Sequence, residues 1–358
     1  MIGTISPLRS TQLSVAAFLK QSEAWRNSVL GAFCFSADTV ESQIQADTSV
    51  PCMHVAMPRL DAGDSVCEVW HASGQLSQGQ SGAIHYRHDG DVLLGVLEVP
   101  EAMFADTGKT PLQQATESAY RQIFALLDML CYPYLFRCWN YMANINTHSF
   151  GLERYRQFNL GRQDAFLAHG RDVVGNVPAA CAMGFGHAGL IQGPSKLHIA
   201  FLAGRTAPLN IENPRQISAY QYPQEYGPRS PTFSRASLLR IGQNQVLFIS
   251  GTASIVGHAT LHPDNVVAQT RETIANIKAV LGEANRQSCL ASQPKFDLVS
   301  LHYTVYVRRP ADLVQVRTEL THCVGDALNA VFLQADMCRE DLLLEIEATA
   351  CIGGRATR

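Results

Sequence analysis

The 358-residue sequence contains no run of about 18 consecutive apolar residues, so it offers no candidate membrane-spanning helix. It also lacks an excess of charge of either sign: Lys and Arg number 28, Asp and Glu 31, and the net charge is −3. That balance gives no electrostatic reason to expect nucleic acid or an anionic membrane as a partner. Charged residues are only 16% of the chain against 46% apolar, which excludes a disordered chain. The ten cysteines form no C-x-x-C pair and no zinc-ribbon spacing. They read as unpaired small hydrophobes in a reducing cytosol, with no structural metal. The opening MIGTISPLRSTQLSVAAFLKQ lacks the basic start, apolar stretch and small-residue cleavage site of a signal peptide. A cytoplasmic protein is the expectation.

What is present is a repeated order of elements. Residues 1–90 hold short alternating apolar stretches separated by Gly, Asp and Ser, which suggest antiparallel strands. DVLLGVLEV (91–99) reads as a strand, and TPLQQATESAYRQIFALLDML (110–130) as a helix opened by Thr-Pro. A strand follows in YLFRCWNYMANI. The second half repeats the order: strand NQVLFISGTASI (244–255), helix NVVAQTRETIANIKAVLGEA (265–284), strand KFDLVSLHYTVYVR (295–308), a second helix over 311–324, then strands. Gln114 and Glu117 in the first helix match Gln269 and Glu272 in the second. The expected fold is α+β: two copies of one unit, 1–205 and 206–358, each a mixed sheet with helices packed on one face. Residues 203–216 are the expected linker region.

Three motifs fail on context. GFGHAG (184–189) matches G-x-G-x-x-G, but Gly193, Pro194 and a strand-like KLHIAFLA follow where a dinucleotide site needs a helix. His258 and His262 are four apart, yet GHATLHPD is turn-like and offers no third metal ligand. Ser250 lacks the G-x-S-x-G elbow of a serine hydrolase.

The stretch LLLEIEATA (342–350) places two acids in an apolar strand. Alternation puts Leu342, Leu344, Ile346 and Ala348 on one face and Leu343, Glu345, Glu347 and Thr349 on the other. The acidic face is either solvated or lines a pocket. Two further stretches concentrate cations and aromatics: GLERYRQFNLGR (151–162), with Arg154, Tyr155, Arg156 and Arg162, and SAYQYPQEYGPRSPTFSR (218–235), with Tyr220, Tyr222, Tyr226, Arg229 and Arg235. The prolines and Gly227 make the second a rigid loop. Arg forks bind carboxylates through paired hydrogen bonds, so such loops suit a small dianion. Surface arginines on long loops explain the composition equally well.

From YGPRSPTFSRA through FISGTASI, AQTRETIANIKAVL and LLLEIEATA, the second half resembles the YjgF/RidA superfamily, most specifically in its L-x-E-I-E-A-x-A ending. Plain enamine deaminases of that superfamily use an Arg fifteen residues before the first Glu, where this chain has Ala330. The whole chain resembles the chorismatases, through WNYMANIN, GLERYRQFNLGR, ENPRQISAYQYPQEYGPRSPTFSRA and SGTASIVGHAT. That resemblance implies two YjgF/RidA-like (chorismate mutase-like) domains and removal of pyruvate from chorismate without metal or organic cofactor. It implies Glu345 as proton donor to the enolpyruvyl ether, with Glu347 facing solvent or paired with a cation. His198 aligns with Glu345 in the first copy, implying a single active site.

Gly251 and Cys338 match the 3-hydroxybenzoate branch, which passes through an arene-oxide-like intermediate and sometimes also releases 4-hydroxybenzoate. The hydrolytic branch, giving a dihydroxycyclohexadiene carboxylate, has Ala and Val there. Gly251 would leave room beside the ring, and Cys338 either directs ring opening or shapes the pocket. Arg154, Arg162 and Arg229 are the expected carboxylate holders, with Tyr222 and Tyr226, then Tyr155 and Arg235. A non-enzymatic small-acid binder is the alternative of a different class. A monomer is expected, because a fused duplication replaces one subunit contact of the superfamily's trimers.

Overall fold

Thr110 caps a helix as its sequence predicts: its side chain accepts from the Gln113 amide, and Pro111 takes the first helical position, where no amide hydrogen is needed. This helix belongs to the first of two matching units in the computed structural model, which describes residues 8–353 apart from 38–49, 62, 64, 73, 106–107, 187–194, 243 and 289–294. Residues before this unit build a separate sheet from β1 (Arg9–Leu13), β2 (Val29–Ser36), β3 (Cys52–Ala56) and β4 (Ser65–His71), with short helices α1 (Val15–Leu19) and α2 (Glu23–Arg26) between β1 and β2. The first unit comprises β5 (Ser77–Ser81), β6 (Ile84–His88), β7 (Val92–Pro100), α3 (Pro111–Leu130), β8 (Tyr134–Ala143), α4 (Arg154–Ala168), β9 (Ala179–Phe185) and β10 (Lys196–Gly204). The second comprises β11 (Leu209–Ile211), β12 (Ala236–Ile241), β13 (Asn244–Thr252), α5 (Val266–Gln287), β14 (His302–Val307), α6 (Leu313–Val324), β15 (Asn329–Gln334) and β16 (Leu344–Gly353).

The sheet orders are β9-β8-β10-β7-β6-β5 and β15-β14-β16-β13-β12-β11, the same arrangement element for element. In each, the pair at one edge is parallel, β8 with β9 and β14 with β15, and the long closing strand runs antiparallel to both neighbours. The expected α+β duplication is therefore present. The N-terminal sheet, taken as β3-β2-β4-β1, repeats the same order without the outer hairpin: β2 and β3 are parallel, and β4 is antiparallel to β2 and β1. The expected first domain thus holds two sheets, and the strand pattern occurs three times. No local pattern separates 9–71 from 77–204, because the distinction lies in which strands pair.

The three sheets share a central core. Phe33, Phe35 and Trp70 from the N-terminal sheet meet Trp139, Tyr141 and Met183 from the first unit and Phe248, Tyr306 and Leu333 from the second. Each sheet covers its other face with its own helices. A strand such as β16 is consequently buried on both sides, with Leu344, Ile346 and Ala348 toward helices and Glu345 and Glu347 toward the shared interior.

Two expectations fail. Residues 154–168 are helix α4 rather than loop; the segment's charges mask its pattern because two of them, Arg154 and Arg162, are buried. Cys34 and Cys67, expected to be unpaired, form a disulfide. They stand directly opposite on β2 and β4, with Cα atoms 4.1 Å apart, close enough for the bridge without backbone movement.

Candidate functional site

Glu345 lies at the floor of a cavity of about 440 Å³ between the two matching units. The first unit contributes Tyr155 and Arg162, two turns apart on α4, and Cys181 on β9. The second contributes Gln216, Tyr222, Tyr226 and Arg235 from the long loop before β12, Gly251 from β13, and Cys338 and Arg339 from the connection into β16. The pairing of β13 with β16 is irregular between Ile249 and Thr252. That bulge brings Gly251 against the Glu345 side chain, a common use of bulges near active sites. A Cβ added at Gly251 would lie 1.8 Å from Glu345 Oε1 and 3.3 Å from Cys181 Cβ. Gly251 therefore leaves room for the carboxyl group itself, where the expectation was room beside the ring.

Only 4% of Glu345 is exposed. Burial, then the neighbouring Glu347 charge, raises its pKa to about 8, so it holds its proton at neutral pH. Cys338 Sγ is 4.0 Å from Glu345 Oε2. Burial first, and Glu345 second, push this thiol up to about 12, so it is a neutral S–H and no thiolate nucleophile. Burial likewise raises the Tyr155 phenol, leaving it a donor. Glu347 is also buried, accepting from Arg137 and, at 2.8 Å, from the Tyr306 hydroxyl. Of its two expected environments, the cation pair holds and solvent does not.

Three arginines that line this cavity each leave one buried hydrogen-bond donor without a partner. Arg162 is 2% exposed, donates through Nη2 to Asn159 Oδ1 at 3.0 Å, and has an Nε with no partner. Arg235 donates through Nη2 to Ile217 O and Tyr222 Oη, both at 2.9 Å, and its Nε is unpartnered. Arg339 donates through Nη1 to His258 O, stacks 4.2 Å from the Tyr226 ring centroid, and leaves Nη2 unpartnered. A buried donor without an acceptor costs about 1–3 kcal/mol, more when charged, so three such arginines around one cavity make it a candidate site for an anionic ligand. Tyr226 Oη meets His258 Nδ1 at 3.0 Å, which fixes the loop over the mouth.

Of the expected site residues, Glu345, Gly251, Cys338, Tyr155, Arg162, Tyr222, Tyr226 and Arg235 converge on this cavity. Arg154 and Arg229 do not. Arg154 points from α4 the other way and forms a bidentate ion pair with Glu101 at 2.9 and 2.6 Å, with its Nε on Ala143 O. Its direct neighbour Tyr155 faces the cavity, as helix geometry requires of adjacent residues. Arg229 is exposed on the loop. Arg154→Met should therefore cost about 3–5 kcal/mol of folding stability, by stranding a buried Glu101, and leave KM unchanged. Arg229→Ala should change neither. Denaturant midpoints with steady-state kinetics check both.

Arg339, Gln216 and Cys181 were missed. Arg339 adjoins Cys338 in MCRED and carried that one signal, while Cys181 sits in a featureless AACAMGF. The rejected motifs also have structural occupations. Ser250 Oγ donates to Ser234 O at 2.6 Å and accepts from the Ala180 amide. His262 pairs with Glu272 at 3.5 Å, and no cluster of three metal-ligating side chains occurs among the described residues. The last residues of GFGHAG fall outside the described residues. In the first unit, His198 stands opposite Tyr141 as Glu345 stands opposite Tyr306, and it pairs with Glu98. That register supports the expected alignment and leaves no carboxylate on β10 at that position.

Residues 68–203 match the family profile described as Chorismatase FkbO/Hyg5-like, N-terminal. A chorismatase from Streptomyces rapamycinicus is 38% identical over 290 residues, covering 79% of this chain and 82% of that protein. A 3-hydroxybenzoate synthase from Streptomyces hygroscopicus is 36% identical over 288 residues, covering 78% and 80%. The crystal structure of a chorismatase superposes with a TM-score of 0.82 at 30% identity, over 97% of this chain and 99% of that one. The fold, the cavity and these relatives agree: the chain belongs to the chorismatase family.

Proposed function

We propose that this enzyme converts chorismate to 3-hydroxybenzoate and pyruvate at the cavity floored by Glu345. The observation that carries the reading is one protonated buried carboxyl together with three arginines, each with an unpartnered donor, lining a single 440 Å³ cavity. Chorismate is a dianion whose enolpyruvyl ether breaks when its methylene carbon gains a proton. Glu345 donates that proton, and the resulting carboxylate stabilises the oxocarbenium ion beside it. Arg162, Arg235 and Arg339 hold the two carboxylates. Tyr155, Tyr222 and Tyr226 orient the ring and side chain, lowering the barrier by positioning.

The 3-hydroxybenzoate outcome follows if the C4 hydroxyl oxygen attacks C3 as the C3–ether bond breaks. The electron pair of that bond becomes the keto oxygen of pyruvate, and the hydroxyl proton returns to Glu345. The 3,4-epoxide opens at C4, and loss of the C3 hydrogen restores aromaticity; water is neither consumed nor released. Glu345 placed over Gly251, with the Cys338 thiol alongside, is the arrangement we assign to this branch. The reaction needs no cofactor in this reading.

Incubating purified protein with chorismate, assaying pyruvate and separating products by chromatography tests the proposal. Pyruvate with 3-hydroxybenzoate is expected. Pyruvate with a non-aromatic diene acid would overturn the branch, and no pyruvate would make the protein a binder. Arg162→Met and Arg235→Met should each raise KM about 10–100-fold, the loss of one charge-assisted contact of ~1.5–3 kcal/mol. We also take the chain to act as a monomer: its three sheets close a shared core in one chain, and a light-scattering mass above 39.2 kDa would contradict this. No described helix is long and apolar enough to cross a membrane. We place the enzyme in the cytoplasm, where the Cys34–Cys67 disulfide would be an exception to the usual reduced thiols; cell fractionation checks the placement.

A further inference from the structure

Behind Glu345, away from the cavity, lies a buried ionic group that the reaction as described does not use. Arg137 on β8 donates through Nη2 to Glu347 on β16, so the pair bridges the two matching units. Tyr306 Oη donates to the other Glu347 oxygen at 2.8 Å, and Tyr141 Oη lies 3.2 Å from Tyr306 Oη. Arg137 is 1% exposed and Glu347 4%. The guanidinium lies 5.0 Å from the Trp139 ring centroid, and its Nη1 has no partner. Stability is a weak reason for such a pair, because replacing a buried ion pair with packed apolar side chains is often neutral or stabilising. Its placement does suggest a use. Glu345 and Glu347 are two positions apart on one strand and project to the same side, with Cys181 of β9 packed between the units beside them.

We propose that Glu347 is a positioning residue for the reaction: an anion pinned by Arg137 and Tyr306, it holds the proton on Glu345 until substrate arrives. This rests on the reading of Glu345 as proton donor. A fixed negative charge nearby makes ionisation of a second carboxyl unfavourable. The other charged groups acting on Glu345 are cations, Arg137 from β8, Arg235 from the loop and Arg308 after β14, and these oppose the effect. Cys338, Cys181 and Tyr155 face it as neutral groups. A third acid, Glu68 on β4, also feels the Glu347 charge and is raised to about 8, chiefly by burial. Glu347, ion-paired with Arg137, thus acts electrostatically on two acids, Glu345 and Glu68, that burial raises.

The test is the pH profile of kcat/KM for wild type, Glu345→Gln, Glu347→Gln and Glu347→Asp. The alkaline limb should move down by about one pH unit in Glu347→Gln, a roughly tenfold loss at high pH, and stay in place in Glu347→Asp, which keeps the charge. Inactive Glu345→Gln with an unmoved limb in Glu347→Gln would overturn the role of Glu347 alone. Near wild-type turnover in Glu345→Gln would overturn the donor reading and this inference with it. Glu347→Gln strands Arg137 and risks misfolding, so Arg137→Met provides a second arm. Arg137→Met removes a cation that favours ionised Glu345 and keeps the Glu347 carboxyl, so its alkaline limb should stay in place or rise. A limb that falls as in Glu347→Gln would overturn the proposal.

Discussion

Glu345→Gln protein should bind chorismate with wild-type affinity and release pyruvate about 10²–10⁴-fold more slowly, the usual contribution of a positioned general acid. The amide fills the same space over Gly251 and still hydrogen-bonds, so shape is retained while the transferable proton is lost. Calorimetric titration and single-turnover pyruvate release measure the two halves separately. The wild-type pH profile has a definite sign. Glu345 donates only when protonated, and burial with the Glu347 charge lifts it to about 8. Activity should therefore be level to about pH 7 and fall tenfold per unit above pH 8. Stability follows the same linkage. The folded carboxyl holds its proton more tightly than the unfolded one, so its contribution favours the fold at low pH and declines as pH rises from the ordinary Glu range to about 8. Glu345→Gln, which cannot ionise, should be more stable than wild type above pH 8. A residual rate near wild type would place the proton donor elsewhere.

Gly251→Ala should have the second largest effect, and on product identity as much as on rate. The backbone at 251 does not have the left-handed conformation that would strain a side chain. The protein should therefore fold, and the new methyl should meet one obstacle above all, Glu345 Oε1 at 1.8 Å. Cys181 bounds the same space at 3.3 Å, so the carboxyl must rotate away, toward Cys338 or the cavity. Moving the proton donor by even about 1 Å can cost on the order of 100-fold, and here it also changes which face of the ether the conjugate carboxylate stabilises. The expected result is a kcat reduced at least tenfold and a product mixture shifted from 3-hydroxybenzoate toward the dihydroxydiene acid. Chromatography of the products with quantified pyruvate reads both. An unchanged rate and product would mean that Glu345 does not act from the position described.

Much of the fold was legible because it is written in local patterns. Thr110-Pro111 announced a helix, and the alternation in LLLEIEATA marked a strand with one acidic face. The order of elements showed the duplication, since β7-α3-β8 and β13-α5-β14 repeat in sequence. The third occurrence, in residues 9–71, was hidden because, among the described residues, it lacks the outer hairpin and its helices are four and five residues long where the others have long ones. The cysteine reading failed at Cys34 and Cys67 for a similar reason: a separation of 33 residues says nothing about which strands lie side by side.

The site divides along the same line. Glu345, Gly251 and Cys338 were readable through the resemblance to the chorismatases, and Tyr155, Arg162, Tyr222, Tyr226 and Arg235 because they stand in stretches rich in the arginine and tyrosine that a dianion selects. Direction was not readable. Arg154 and Tyr155 are neighbours in sequence, and only the docking of α4 sends one to Glu101 and the other into the cavity. By itself the sequence determined most of the elements, the duplicated α+β plan and the strand that carries the two acids, because helical and strand periods are local properties of the chain. The tertiary structure alone decided that Glu345 is protonated, that Glu347 is paired with Arg137, and that Gly251 makes room for a carboxyl. Each of those depends on which distant groups remove water from, or bring charge to, one point in space.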